Sequence, residues 1–133
     1  MGDNYKGGFE SLEVWKEARN YRKEISEIVK KFPSEEKYRL TDQLLRSVRS
    51  VHANIAEGYG RFHYQENIQF CRMARGSLME TIDHLICASD ESYIDGETLK
   101  KLREHYDVVL KLLNGYISFL KTKKEATRLT PLP

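Results

Sequence analysis

The chain, 133 residues long, predicts an all-α fold, an antiparallel up-down-up-down four-helix bundle. Three observations carry this. Apolar residues recur at steps of three and four in four successive stretches, cap and turn residues separate those stretches by only a few positions, and no stretch alternates as a strand would. Short connections force neighbouring helices to run antiparallel.

The first stretch puts Phe9, Leu12, Trp15, Ala18, Ile25, Ile28, Val29 and Phe32 on one helical face and stops at Pro33. Ser34 is a good N-cap for the second, with Glu35 and Glu36 in a first turn where the helix dipole favours carboxylates. That helix carries Leu40, Leu44, Val48, Val51, Ile55 and Tyr59, and its pattern fades at Gly58 and Gly60. The third is read through Ile68, Cys71, Ala74, Leu78, Ile82, Leu85 and Ile86, ending near Tyr93 because Asp95-Gly96 is a turn signal. Asp95 caps the fourth, which shows Leu99, Leu102, Tyr106, Val109, Leu113, Tyr116, Ile117 and Leu120. The predicted helices span about 9–32, 35–60, 65–92 and 95–123, between a flexible N-terminus (1–8) and a flexible C-terminal tail (125–133). At roughly 25 residues each they would be about 35 to 40 Å long, giving an elongated rod.

Length fits one domain with a real core. Apolar residues make up 40% and charged residues 32%, with three prolines, which fits a helix-rich soluble domain rather than a disordered or membrane chain. Residues 1–8 lack the basic-then-apolar layout of a secretory signal, so a cytoplasmic location is expected. Cys71 and Cys87 lie sixteen positions apart in one helical pattern and are expected to be reduced core residues. A net charge of +2 is too mild to announce a nucleic-acid binder unless the charges are sorted onto one face or repeated by assembly.

Four-helix bundles often house metals. Di-iron sites need Glu-x-x-His pairs, but three positions before His52, His63, His84 and His105 stand Arg49, Gly60, Thr81 and Leu102. Glu80 and His84 are four apart, a single pair that makes no site by itself. Neither cysteine has a recognisable histidine partner, and Gly58-Tyr59-Gly60 follows a helix where a phosphate loop follows a strand. No catalytic residue, metal ligand or cofactor is therefore expected.

Two islands remain unexplained by local structure: Asn54-Ile55-Ala56-Glu57-Gly58 with Gly60-Arg61, and Gly76-Ser77-Leu78 with Glu80. Interior helical glycines cost about 1 kcal/mol against alanine and usually mark close packing or function. One reading is a structural network of Asn54, Glu57, Gly58, Gly76, Ser77 and Glu80 across the second and third helices, with arginines and glutamates paired, Asn54 satisfying backbone or side-chain groups, and Gly76 and Ser77 letting the helices approach closely. The other takes Arg46, Arg49, Arg61, Arg72 and Arg75 as phosphate contacts, with Tyr59, Phe62 or Tyr64 available to stack on bases. Lys121, Lys123, Lys124 and Arg128 form a separate basic end, either a solvated helix terminus or a second RNA contact.

These motifs resemble a known family, the small four-helix-bundle proteins encoded within bacterial 23S ribosomal RNA intervening sequences, whose relatives include the accessory variability proteins of diversity-generating retroelements. The resemblance starts at Leu12, Val14, Trp15 and Ala18 and continues through Phe32-Pro33, Glu36, Tyr38, Leu40 and Gln43. Arg46, Ser50, the two islands and Ala74 complete it, over about residues 9 to 120. It implies a ring-like homopentamer without catalytic activity. Some relatives resemble nucleic-acid-binding scaffolds that partner a reverse transcriptase and bind its RNA through a basic surface. Two departures stand out: His63 occupies the cap position of the third helix where a serine is usual, and Asn67 replaces an aromatic or aliphatic residue, so that helix is expected to begin differently. The expectation is a non-enzymatic scaffold binding structured RNA, or DNA, through basic patches repeated by symmetry. The alternative is a protein-interaction or adaptor assembly that binds no nucleic acid.

Overall fold

The computed structural model describes residues 7–129, and every regular element among them is helical. A short 3-10 turn, Gly8–Ser11, precedes α1 (Glu13–Ile28), which tightens into a second turn, Val29–Lys31. A third turn, Ser34–Glu36, leads to α2 (Leu40–Tyr59), and α3 (Tyr64–Asp90) and α4 (Gly96–Leu129) follow. Helix α1 packs on α2 and α4, and α3 packs on the same two, so the helices stand at the corners of a square. Cross-links such as Asn67 to Tyr116, Arg75 to Asn114 and Tyr106 to Met79 fix α3 and α4 as antiparallel. No helix among the described residues is long and apolar enough to cross a membrane.

The apolar faces read from the periodicity meet in one core that includes Ile25, Leu44, Ile55, Leu78, Leu85 and Leu113. Tyr21 is buried with them. Thr81 donates to the Leu78 carbonyl at 2.6 Å, so the Tyr21 hydroxyl, 2.8 Å from Thr81 Oγ1, is the donor of that pair. Burial pushes the Tyr21 phenol up, so it stays a neutral donor. His105 of α4 ties the bundle back to α1, its Nδ1 2.7 Å from Glu24 and its Nε2 3.1 Å from Glu17.

Several boundaries differ from expectation. The helices are unequal, 16, 20, 27 and 34 residues long, so at 1.5 Å per residue α4 runs about 50 Å while α1 runs about 24 Å. Helix α4 thus continues through 125–129, where a flexible tail was expected, while residues 1–6 and 130–133 of the two expected flexible ends lie outside the described residues. Helix α2 starts at Leu40, not after Ser34, whose side chain caps nothing. Glu36 serves instead: Oε1 accepts the Leu40 N–H at 3.3 Å and Oε2 accepts the Tyr93 hydroxyl at 2.7 Å. That second bond pulls the segment toward the α3–α4 connection, where Phe32 packs on the Tyr93 ring at 5.5 Å, and a local helix cannot satisfy both.

Helix α3 ends at Asp90, short of Tyr93. Ser92 takes a left-handed φ of 64°, and Tyr93 N–H bonds to Ala88 O at 2.8 Å while Ser92 N–H bonds to Ser89 O at 3.0 Å. This pair of bonds is a Schellman stop, which usually uses glycine. The expected cap of α4 is present, Asp95 Oδ1 accepting the Thr98 N–H at 2.8 Å. Helix α3 begins at Tyr64 without a side-chain cap bond from His63, and Asn67 lies one turn in. Asn67 is buried and donates to Tyr116 Oη at 3.2 Å. Cys71 is buried as expected, whereas Cys87 is exposed: its place on α3 faces solvent rather than the core.

Candidate nucleic-acid interface

The α2–α3 interface is tight at one point. A Cβ on Gly58 would lie 2.7 Å from Asn67 Oδ1 and 2.9 Å from Phe70 Cβ, so only glycine lets the helices approach there. Farther along, Asn54 Nδ2 donates to Ser50 O and Oγ at 2.9 Å, and Ser77 Oγ donates to Ser50 Oγ at 2.9 Å. These hydroxyls are the polar link between α2 and α3. The expected Arg–Glu network across the two helices is absent among the described residues, because both islands' carboxylates pair locally, four residues along the chain: Glu57 with Arg61 at 3.0 Å, and Glu80 with His84 at 3.1 Å. Gly76 permits no close approach, since a Cβ there would meet nothing within 4 Å.

With that seam closed, the arginines project to its two sides and do not form one patch. Arg46 is exposed and paired with Asp42 at 3.1 Å. Arg61 lies over the Phe70 ring at 4.7 Å while it holds Glu57. Arg75 reaches α4 and donates to Asn114 Oδ1 at 2.8 Å. Of these five, only Arg49 and Arg72 stay clear of an acidic or amide partner among the described residues, and they act in different places, Arg49 on His52 of its own helix and Arg72 in a groove shared with α4.

The structure brings Arg72 together with the basic end of α4. Arg72, Lys121 and Lys124 line one groove with Gln65, Ile68 and Glu125, and Lys124 Nζ donates to Gln65 Oε1. Gln65 and Lys124 are also walls of the adjoining slot, about 480 Å³, formed where the overhang of α4 passes the α2–α3 turn. Phe62, His63, Tyr64, Thr127 and Arg128 complete it. Phe62 is 92% exposed, its ring held edge-on to His63 at 4.9 Å. Lys123 stands apart, over Phe119 at 5.6 Å. Cationic groove and aromatic slot are thus continuous, an arrangement suited to phosphates on one side and stacked bases on the other.

Arg19, Arg22 and His52 escaped the sequence reading, and the structure places Arg49 among them. Burial, then the Arg22, Arg19 and Arg49 charges, push the His52 imidazole down to about 4. The spacing of Arg19 and Arg22, three apart beside Trp15, was the available signal, but arginines on a helix flank read as solvated until a partner helix is placed.

Elsewhere the chemistry is quiet. Burial pushes the Cys71 thiol up to about 11, away from the reactive thiolate. Among the described residues no group of three His, Cys, Asp or Glu side chains could hold a metal ion.

A family model described as 23S rRNA-intervening sequence protein matches residues 10–115. No curated protein matches the chain.

Proposed function

This chain belongs to the 23S rRNA-intervening sequence protein family, and from that premise we propose that it is a non-enzymatic oligomeric scaffold that binds structured RNA. The observation that carries the reading is the groove of Arg72, Lys121 and Lys124 running into the slot around Phe62 and Tyr64. Guanidinium and ammonium groups supply sequence-independent phosphate affinity, and exposed rings supply base stacking. Net charge is only +2, so one copy binds weakly; a ring-like pentamer repeats the groove, and several grooves on one RNA raise avidity without any new contact. A cytoplasmic setting belongs to the same reading, and a reverse transcriptase as protein partner comes to it through the resemblance.

The test is binding of the purified, nuclease-treated protein to a labelled structured RNA across a salt series. Submicromolar binding with a steep salt slope is the expected result, and R72Q/K121Q/K124Q weakens it and flattens the slope by about 2 to 3. A parent protein that binds no RNA at low salt overturns the proposal.

The second reading, a protein-interaction assembly, draws on the exposed apolar side chains Met73, Met79, Ile86, Val108 and Phe119. Under it the same triple substitution changes assembly mass or stability and leaves RNA binding, if any, untouched.

A further inference from the structure

Three guanidinium groups, of Arg19, Arg22 and Arg49, act on His52 at the α1–α2 face, and no acid among the described residues pairs with them. Arg22 Nε donates to His52 Nε2 at 3.4 Å, Arg19 lies over the Trp15 ring at 5.6 Å, and Trp15 meets the His52 ring edge-on at 6.1 Å. Arg49, one turn before His52 on α2, adds the third charge. The acids of this region are engaged elsewhere: Glu13 with Lys16, Glu17 and Glu24 with His105, Asp42 with Arg46. Among the described residues none of Arg19, Arg22 and Arg49 has an ion pair.

Like charges gathered this way repel, and an external polyanion relieves the repulsion. Guanidinium offers a phosphate two parallel hydrogen bonds, and a ring beneath it limits the orientations it must give up on binding. We infer that this face is a second phosphate-binding surface for a nucleic-acid backbone, with Arg19, Arg22 and Arg49 as its contacts and Trp15 and His52 as its floor. The inference rests on the RNA-binding reading and adds a site to it. In the square of helices, α1–α2 lies opposite α3–α4, so an RNA that engages both faces meets the bundle as two separate segments.

Trp15 is the only tryptophan, and it reports on this face without a label. The experiment follows Trp15 fluorescence and the anisotropy of a fluorescein-labelled oligouridylate in parallel, at several salt concentrations, with sedimentation to record assembly mass. A saturating Trp15 change in the parent is expected. R19Q/R22Q/R49Q should abolish it and lower the salt slope by about 2, R19K/R22K/R49K should recover part of it, and R72Q/K121Q/K124Q should keep it. RNA binding that is lost in the α3–α4 variant but unchanged in R19Q/R22Q/R49Q leaves the RNA-binding reading standing and overturns this site. A parent that binds neither this oligouridylate nor a labelled structured RNA at low salt overturns both. A Trp15 response to tripolyphosphate with none to oligouridylate overturns the assignment to a nucleic-acid backbone. Loss of assembly mass in R19Q/R22Q/R49Q also overturns it, since the arginines then hold copies of the chain together.

Discussion

Gly58 and Gly76 look alike in the sequence, each a glycine within a helical pattern, and packing separates them. Gly58 sits where a methyl group would overlap Asn67 and Phe70; Gly76 faces open space. Alanine at 58 must push α2 and α3 apart, and that overpacking outweighs the helix-propensity gain, so G58A should lose about 1–2 kcal/mol in urea unfolding. Alanine at 76 meets nothing, so G76A should gain about 1 kcal/mol by the same measurement. Should G76A instead lower stability in a concentration-dependent way, position 76 is covered by a second copy of the chain. The sequence flagged both glycines from the cost of glycine in a helix, but only the neighbouring helix distinguishes a close contact from an exposed position. The arginines behave likewise: Arg46 and Arg49 share a helix flank three residues apart, yet one holds Asp42 and the other joins Arg19 and Arg22.

The helices themselves were legible because periodicity is local, whereas their ends were set by partners far along the chain. The start of α2 is decided by Glu36, held by Tyr93 from 57 positions away. The end of α3 is decided by Ser92 at φ 64°, invisible to a reading that expects glycine there. S92G removes the side-chain penalty of the left-handed conformation and should raise stability by about 0.5–1 kcal/mol, read as a shift of the urea midpoint with unchanged slope. A lower midpoint would mean that the Ser92 side chain contributes more than its backbone strain costs. The overhang of α4 was the largest miss: past Leu120 the apolar stripe gives way to Lys121, Lys123, Lys124 and Glu125, which reads as fraying. The helix nonetheless runs on, and Lys124 anchors it to Gln65 on α3.

Across the whole molecule, charge is divided by face. The α1–α4 side holds the carboxylate clasp on His105, and the α1–α2 side holds guanidiniums around His52 that have no ion pair among the described residues. His52 resists protonation in the folded state, down to about 4, whereas an unfolded histidine takes up its proton near 6.5. Between those values the unfolded chain binds the extra proton, so the His52 contribution to stability is full above about 6.5 and is lost as pH falls toward 4. Urea unfolding at pH 7 and pH 5 should therefore show a larger loss for the parent than for H52Q. Equal losses would show that His52 is not held neutral by its surroundings.

Helix count, the four apolar faces, the Asp95 cap and the family motifs were determined by the sequence alone, because each depends on residues within a turn or two of one another. Which glycine is packed, which arginines are neutralised, where α4 stops and which cations share a groove with exposed rings were decided only by tertiary structure. Those properties depend on what the folded chain places opposite each side chain, from just across a turn, as Asn67 and Phe70 at Gly58, to dozens of positions away, as Lys121 and Lys124 beside Arg72.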